Sequence, residues 1–215
     1  RDRPKGDDAI LQASFNISIG HQWEGHLKKY NLNKDGSIGD LQWDAGELLD
    51  TNKKAANRNI FTVGSGLTVF SNDNFKAINV EKLKPILYGD GHANIDVEDA
   101  KKLINFVRGV DVFDEVEGKT ERWKLGDIYH AELAVMGPPT AKITDNPDKE
   151  HTDAGYRFNR RYATFAGSNQ NRTKVVFAGS NDGMLHAFNL DSGEELWAFI
   201  PPMLASKLKD MVSAE

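Results

Sequence analysis

The chain contains no cysteine among its 215 residues. This absence excludes a disulfide framework, a thiolate zinc site, a c-type haem attachment and a cysteine nucleophile. No apolar run is long enough to cross a membrane, so we expect no membrane span. Basic residues number 27 against 32 acidic residues, for a net charge of −5. With this balance and no basic stripe, nucleic acid is not an expected partner.

The most informative stretch that is present runs from Val175 to Trp197. Apolar residues alternate with polar ones there, and glycines at 183 and 193 mark two turns. Alternation interrupted by glycine turns predicts consecutive antiparallel strands. This pattern is typical of one blade of a β-propeller.

A second copy of this pattern lies near the N-terminus. The segment Gly25–Gly36, followed by Trp43, aligns with Gly183–Gly193, followed by Trp197, with one residue inserted in the turn. Such internal repetition predicts a mainly β fold, namely a partial, modified β-propeller of antiparallel blades with α-helical insertions. A blade takes about 40 to 45 residues, so two or three blades are expected here. The repeated strand positions are Leu27 and Tyr30 in one copy and Leu185 and Phe188 in the other.

Helical patterns interrupt the blades at two places, within what we expect to be one domain over residues 1–215. A helical insertion is predicted over about 80–109, where an apolar stripe runs along Val97–Arg108, with Asp96 as N-cap and Gly109 as the stop. A loop and helix insertion is predicted over about 138–171, with a helix over Tyr156–Phe165.

The remaining stretches are interpreted from turn residues and alternation. Residues 1–12 are expected to form an arm, 44–49 a short helix or turn, and 52–59 and 142–153 surface loops. Further strands are predicted over 13–20, 22–32, 58–63, 67–70 and 123–136.

One turn imitates the start of a calcium loop. Asn31, Asn33 and Asp35 offer oxygens at alternate positions, with Gly36 at the sixth. Gln42 stands where a bidentate Glu normally completes the coordination, so a hairpin turn explains the pattern better than a metal site.

A second oxygen-rich cluster precedes the predicted helix. It consists of Asp90, Asn94, Asp96 and Asp99. Capping of the helix N-terminus accounts for these residues without an ion.

The histidines and tryptophans suggest structural roles. The histidines have no i, i+4 pair of the kind that binds zinc on a helix, and we assign no catalytic, cofactor or metal residue in this chain. Two of them, His26 and His186, are interpreted as equivalent repeat positions. The tryptophans are expected to fill the space between blades, as large rings at repeated positions usually do. The histidines are His21, His26, His92, His130, His151 and His186, and the tryptophans are Trp23, Trp43, Trp123 and Trp197.

Four motifs in order give the chain a family resemblance. They are Trp23–Tyr30, Leu103–Gly109, Trp123–His130 and Asn181–Phe188. On these motifs the chain resembles the type IV pilus biogenesis and tip-adhesin family, the PilC/PilY group, in the N-terminal portion of its C-terminal propeller. The resemblance covers about residues 14–202.

The resemblance implies a non-enzymatic, secreted protein of the bacterial surface that supports pilus assembly and attachment. Implied partners are pilin or minor pilins at the pilus tip. The family's calcium loop belongs to later blades, so no cofactor is expected in this chain. We also expect the chain to be a fragment of a longer one, with its sheet edges completed by the rest of the propeller or by a second chain.

Two alternatives to this function remain. The ending Asp191–Trp197 is also typical of pyrroloquinoline-quinone blades, so a quinoprotein dehydrogenase is a rival reading. The chain is too short for the closed channel of such an enzyme. A generic propeller scaffold without a pilus connection is the other alternative.

Overall fold

A computed structural model describes residues 9–17, 24–64, 66–67, 73–114, 117–129, 131–141 and 152–212. Among these residues, the strands are β1 (Ala9–Asn16), β2 (Glu24–Leu32), β3 (Ile38–Asp44), β4 (Ile60–Thr62), β5 (Ala134–Met136), β6 (Val175–Gly179), β7 (Leu185–Asn189) and β8 (Glu195–Ile200). The α-helices are α1 (Ala45–Asn52), α2 (Val80–Tyr88), α3 (Val97–Arg108), α4 (Asp153–Asn159), α5 (Tyr162–Ser168) and α6 (Pro202–Ala205). Short 3-10 helices cover Ala55–Asn57, Ala77–Asn79, Gly89–Asn94 and Leu208–Met211.

The strands form two sheets. Sheet A has the order β1-β2-β3 and is antiparallel, and sheet B has the order β4-β8-β7-β6-β5. In sheet B only the β4–β8 pair is parallel. The expectation of a mainly β fold of antiparallel sheets with helices is confirmed. The described residues do not include a closed ring of sheets, so the propeller stays a prediction.

The sequence repeat corresponds to a structural repeat. Trp43 is the cross-strand partner of Lys29 in sheet A, and Trp197 is the partner of Ala187 in sheet B. Both hairpins also shift register immediately after these positions, between Lys29 and Tyr30 and between Ala187 and Phe188. Because a bulge bends its strand at a defined place, its recurrence at the same repeat position indicates that the β2–β3 and β7–β8 hairpins are copies.

The two sheets stack with the equivalent faces of their repeated hairpins pointing in the same direction. Side chains alternate between the faces of a strand, so Leu27 shares a face with Trp43, and Leu185 shares the equivalent face with Trp197. In sheet A this face is covered, since Leu27 and Trp43 lie in a core cluster with Phe188 from the opposite face of sheet B. The equivalent face of sheet B points away from sheet A.

Close approach fixes this stacking at the tip of the second hairpin. The Trp43 indole donates to the Leu190 carbonyl at 3.1 Å, and the Lys29 ammonium donates to the same oxygen at 3.0 Å. A Cβ on Gly193 would lie 2.7 Å from the Trp43 ring, and Gly193 also has a positive φ of 77°. Glycine is therefore required where the indole rests on the turn.

A second core cluster lies between the helices and the β4–β8 half of sheet B. Leu83 and Leu87 of α2 and Leu103 and Ile104 of α3 contribute to it. The predicted helix over Val97–Arg108 is confirmed with the same bounds, with Asp96 accepting from two backbone N–H groups and Gly109 in the left-handed region. None of the described helices is long and apolar enough to cross a bilayer.

Several local predictions are wrong. Strand β1 begins at Ala9, within the predicted arm, and Tyr156–Phe165 is split into α4 and α5 because Arg161 adopts a left-handed conformation. The predicted surface loop 52–59 contains a 3-10 helix and the fully buried Arg58. The strands predicted over 67–70 and the loop over 142–153 lie mainly outside the described residues.

The strand predicted over Trp123–Met136 forms only as β5. Its first part instead bridges the sheets, since the Leu125 carbonyl accepts from Gly25 N–H at 2.9 Å and the Asp127 carbonyl accepts from Asn181 N–H at 2.9 Å. A Cβ on Gly25 would lie 1.9 Å from the Gly126 oxygen. The backbone groups of this segment are thus used between two sheets rather than within one ladder.

The stacking generates a test on the repeated leucines. We expect Leu27→Ala to lower the free energy of unfolding by about 3 kcal/mol, because its side chain is fully buried between the sheets. Leu185→Ala is the matched control and costs about 1 kcal/mol, because Leu185 lies on the partly exposed face. Urea unfolding followed by tryptophan fluorescence measures both, and an equal or larger loss for Leu185→Ala would contradict the stacking.

Candidate functional site

The most unusual feature of the structure is a charged pair with no solvent exposure. Arg58 follows the 3-10 helix Ala55–Asn57, and Glu195 opens β8. The Arg58 guanidinium donates from Nε to Glu195 Oε2 at 3.1 Å and from Nη2 to Oε1 at 2.8 Å. Both side chains are 0% exposed. Such a two-bond geometry is the strongest form of an Arg–carboxylate contact.

His186 extends this pair into sheet B. Its Nδ1–H donates to Glu195 Oε1 at 2.9 Å, and its Nε2–H donates to Asp182 Oδ2 at 2.9 Å. Asp182 lies in the β6–β7 turn, where it also accepts from Gly126 N–H and from the Ser180 hydroxyl. The turn, the central strand and the bridging segment are therefore joined by one set of hydrogen bonds.

Arg108 joins the helical layer to the same network. Its Nη1 donates to Asp73 Oδ1 at 2.7 Å, and its Nη2 donates to the Arg58 carbonyl at 2.8 Å. In return, Arg58 Nη1 donates to the Arg108 carbonyl at 3.1 Å. The end of α3 and the strand β4 are thereby held by two interlocked guanidinium groups.

The buried charges of the network are balanced when His186 is protonated. They are then three cations, Arg58, Arg108 and His186, and three anions, Asp73, Asp182 and Glu195. At the edge of the network, the partly exposed Lys76 also pairs with Asp73, at 2.9 Å. Buried ions are tolerated only with such pairing and with their hydrogen bonds satisfied.

The pKa values follow from the same contacts. Burial by itself lowers the pKa of His186, but the charges of Asp182 and Glu195 outweigh burial and raise this pKa to about 9. Burial by itself raises the pKa of Glu195, but the charges and hydrogen bonds of Arg58 and His186 hold this pKa below its ordinary range. Burial likewise raises the pKa of Asp182, but His186 and the hydrogen bonds from Ser180 and Gly126 N–H hold it below its ordinary range. All three groups are therefore charged at neutral pH.

Ser180, His186 and Glu195 have the outline of a hydrolase triad. The Ser180 oxygen lies 3.1 Å from His186 Nε2, and His186 Nδ1 bonds the carboxylate. A general base must accept the serine proton, however, and an imidazolium with a pKa of about 9 cannot do so at neutral pH. In addition, the Asp182 carboxylate accepts hydrogen bonds from both His186 Nε2–H and the Ser180 hydroxyl, so the serine proton is not directed at the imidazole. The arrangement is suited to holding structure rather than to nucleophilic catalysis.

A second buried histidine lies in sheet A. His26 Nδ1 donates to Asp44 Oδ2 at 2.7 Å, and its Nε2 accepts from the Asn16 amide at 3.0 Å. His26 is one residue before Leu27, whereas His186 is one residue after Leu185, so the two lie on the same face of their strands but not at the same repeat position.

Among the described residues, His26, Asp44 and Glu47 have ligand atoms close enough to hold a metal ion, within 4.8 Å of one another. Asp44 caps α1 by accepting from Gly46 N–H at 3.0 Å, and the Lys28 ammonium lies 3.7 Å from its other oxygen. A helix N-terminus and an ammonium group both repel a cation. The expectation that this chain holds no metal or cofactor stays a prediction.

The oxygen-rich segments singled out from the sequence form turns and caps. Asp35 Oδ1 accepts from Ser37 N–H at 2.9 Å, and the Asn33 amide donates to the Ser37 hydroxyl. Asp96 Oδ1 accepts from Glu98 N–H at 2.7 Å and Asp99 N–H at 3.3 Å.

The remaining predicted positions are dispersed. His92 bonds the Gly89 carbonyl at an exposed site, and Trp123 donates to the Gly25 carbonyl at 3.2 Å. Trp197 lies against Phe61 and Phe177 on the outer face of sheet B. His21, Trp23, His130 and His151 lie outside the described residues.

Sequence reasoning missed Arg58 and Arg108. Arg58 ends a polar, lysine-rich stretch, so nothing local marks it as buried. Glu195 carried no such signal either, because strand alternation counted from the buried Ile200 and Ala198 places Glu195 on the outer face. The register shift between Ala187 and Phe188 turns it inward, and the sequence pattern does not record that shift.

Removal of the buried carboxylate charge generates a test. We expect Glu195→Gln to lower the free energy of unfolding by about 3 to 5 kcal/mol, because the buried Arg58 and His186 charges lose their counter-charge. The neighbouring Glu194→Gln makes the same chemical change at an exposed position and shifts stability by less than about 0.5 kcal/mol. Similar unfolding midpoints for the two variants would contradict the role of the network.

His186 generates a pH test. Its folded-state pKa of about 9 exceeds the ordinary value of 6.5, so its contribution is complete below pH 6.5 and is lost as the pH rises through 9. The loss amounts to about 3 kcal/mol. Urea unfolding at a series of pH values should show this slope, and His186→Gln should flatten it. Leu27→Val, which lowers stability without removing a titrating group, is the control that keeps the slope. An unchanged slope in His186→Gln would contradict the assignment.

Comparisons with known proteins identify relatives. No protein-family model matches the chain, and no solved structure is significantly similar. The chain is 32% identical over 212 residues to the type IV pilus biogenesis factor PilY1 of Pseudomonas aeruginosa (strain UCBPP-PA14), which covers 95% of this chain and 17% of that protein. It is 37% identical over 84 residues to a PilY1 homolog of Xylella fastidiosa, covering 39% of this chain and 6% of that protein. The chain therefore belongs to the PilY1/PilC group of type IV pilus biogenesis factors, over the part of those proteins that it spans.

Proposed function

We propose that this chain is a non-enzymatic module of a type IV pilus biogenesis factor, which acts in pilus assembly and surface attachment through protein contacts. The observation that carries the proposal is the 32% identity with a pilus biogenesis factor over 95% of the chain. The site geometry supports a structural role, because each carboxylate of the buried network is occupied by donors from the protein itself.

The stacking of the sheets supports a propeller as the architecture of this module. Sheet A presents its Trp43 face to sheet B, and sheet B presents its equivalent Trp197 face outward. This outer face carries aromatic rings in contact with one another, with Phe61 5.5 Å from Trp197 and 5.4 Å from Phe199. A further sheet stacked in the same sense would cover it, which is how blades follow one another around an axis.

The sheet edges support a contact with another part of the parent protein. β1 lies at one edge of sheet A and pairs, among the described residues, with β2 alone. The outer edge of β4 is already closed, because Asn74 accepts from Thr62 N–H and donates back to the Thr62 carbonyl. We therefore propose β1, rather than β4, as the edge that another strand of the propeller or a second chain extends.

The finer parts of this proposal follow from membership of the group. We propose pilin or minor pilins as partners and the bacterial surface, reached by export through the periplasm, as the location. Any calcium site is assigned to later blades and not to this chain. No observation favours the quinoprotein alternative. The buried carboxylate of the Asp191–Trp197 segment, Glu195, is paired with Arg58.

Fractionation of the producing bacterium tests the proposal. We expect the epitope-tagged full-length protein to be recovered with pili that are sheared from the cells, because a module of the pilus tip is released with the fibre. The control is a strain without the major pilin, whose sheared fraction should lack the protein. Recovery that is equal with and without pili, or confined to the cytosol, would contradict the proposal.

A further inference from the structure

The helix pair α4–α5 lies outside both core clusters and exposes large aromatic rings. Tyr156 is 63% exposed, Phe158 48% and Phe165 47%. Only the small residues Gly155 and Ala166 of these helices are buried. Exposed rings that are grouped rather than scattered mark an interaction surface, and here the Phe165 ring lies 6.0 Å from the Tyr162 ring on the same helix.

The same helix pair carries positive charge on an acidic chain. The two helices and the turn between them, residues 153–168, include three basic residues, Arg157, Arg160 and Arg161, and one acidic residue, Asp153, while the chain as a whole has a net charge of −5. At the turn between the helices, Arg160 and Arg161 are both exposed. This charge contrast is complementary to an anionic partner.

Arg160 and Tyr156 form a pair at i, i+4 spacing. The Arg160 guanidinium lies 5.5 Å from the centre of the Tyr156 ring, and Arg161 is the residue immediately before α5. Arg161 also has a φ of 53°, a left-handed conformation that favours glycine. An arginine at a position where glycine is the better residue for the turn is consistent with use of its side chain.

We propose that the α4–α5 pair, through Tyr156, Arg160, Arg161 and Phe165, is a docking surface for an acidic, aromatic-bearing segment of a partner protein. The exposed cations are arginines rather than lysines, and the rings are Tyr and Phe. This composition is that of protein–protein hot spots, where guanidinium groups bind carboxylates with two hydrogen bonds and rings fill apolar pockets. A lipid surface is a poorer fit, because each helix has only seven residues and so offers no continuous apolar face.

Binding of a defined acidic peptide polymer tests this surface independently of any pilus function. The probe is a fluorescently labelled random copolymer of glutamate and tyrosine, titrated with the full chain at low salt and followed by anisotropy. We expect saturable binding that weakens at least tenfold in Arg160→Gln/Arg161→Gly, where glycine preserves the turn. Phe165→Ser should weaken binding of the copolymer at least fivefold, and pure polyglutamate should bind less tightly than the copolymer.

The controls separate a local surface from net charge and from folding. Lys34→Gln/Lys82→Gln removes the same charge at exposed positions elsewhere and should leave binding within twofold. Thermal unfolding verifies that each variant is folded, and Arg160→Gln alone serves if the double variant is not. Equal weakening in both double variants, or no saturable binding of the copolymer, would overturn the proposal. Binding to phosphatidylglycerol vesicles without binding to the copolymer would overturn it in favour of a lipid surface.

Discussion

The buried pair of Arg58 and Glu195 is the interaction on which the rest of the structure depends. It lies where the β4–β8 half of sheet B meets the loop before β4, and it has no solvent to screen it. An ion pair in this setting is stable only if every remaining donor and acceptor is satisfied. That requirement brings in His186 and Asp182 on one side and Arg108 with the backbone on the other. One electrostatic constraint thus connects the helical layer, the five-stranded sheet and the turn between its central strands.

The contact between the sheets has a different physical origin. Leu27 and Phe188 meet there, and the Trp43 indole rests on the glycine turn of the second hairpin. These contacts are non-directional except for the two hydrogen bonds to the Leu190 carbonyl, which fix the position of one sheet along the other. Gly126 links the two systems, because it approaches Gly25 of sheet A and donates to Asp182 of the ionic network. Hydrophobic stacking and ion pairing therefore hold the same arrangement.

The surfaces of the chain suit a protein that works by binding. The charges of the buried network are paired with one another, whereas the α4–α5 helices expose aromatic rings and the turn between them exposes Arg160 and Arg161. The outer face of sheet B and the α4–α5 pair differ in chemistry, since the first is apolar and the second combines rings with arginine. Under the proposed function, the first surface would contact the rest of the parent chain and the second would contact another protein.

The sequence by itself determined the repeat, the helix Val97–Arg108 with its caps, and the family. Each of these depends on local spacing: alternation for strands, a 3.6-residue period for the helix, and glycine at turns. Tertiary structure alone decided that Arg58 is buried, that residues 123–129 bridge two sheets, and that Arg161 divides a predicted helix. Burial of a charge depends on partners such as Glu195, 137 residues away along the chain, and no local pattern records a partner at that distance.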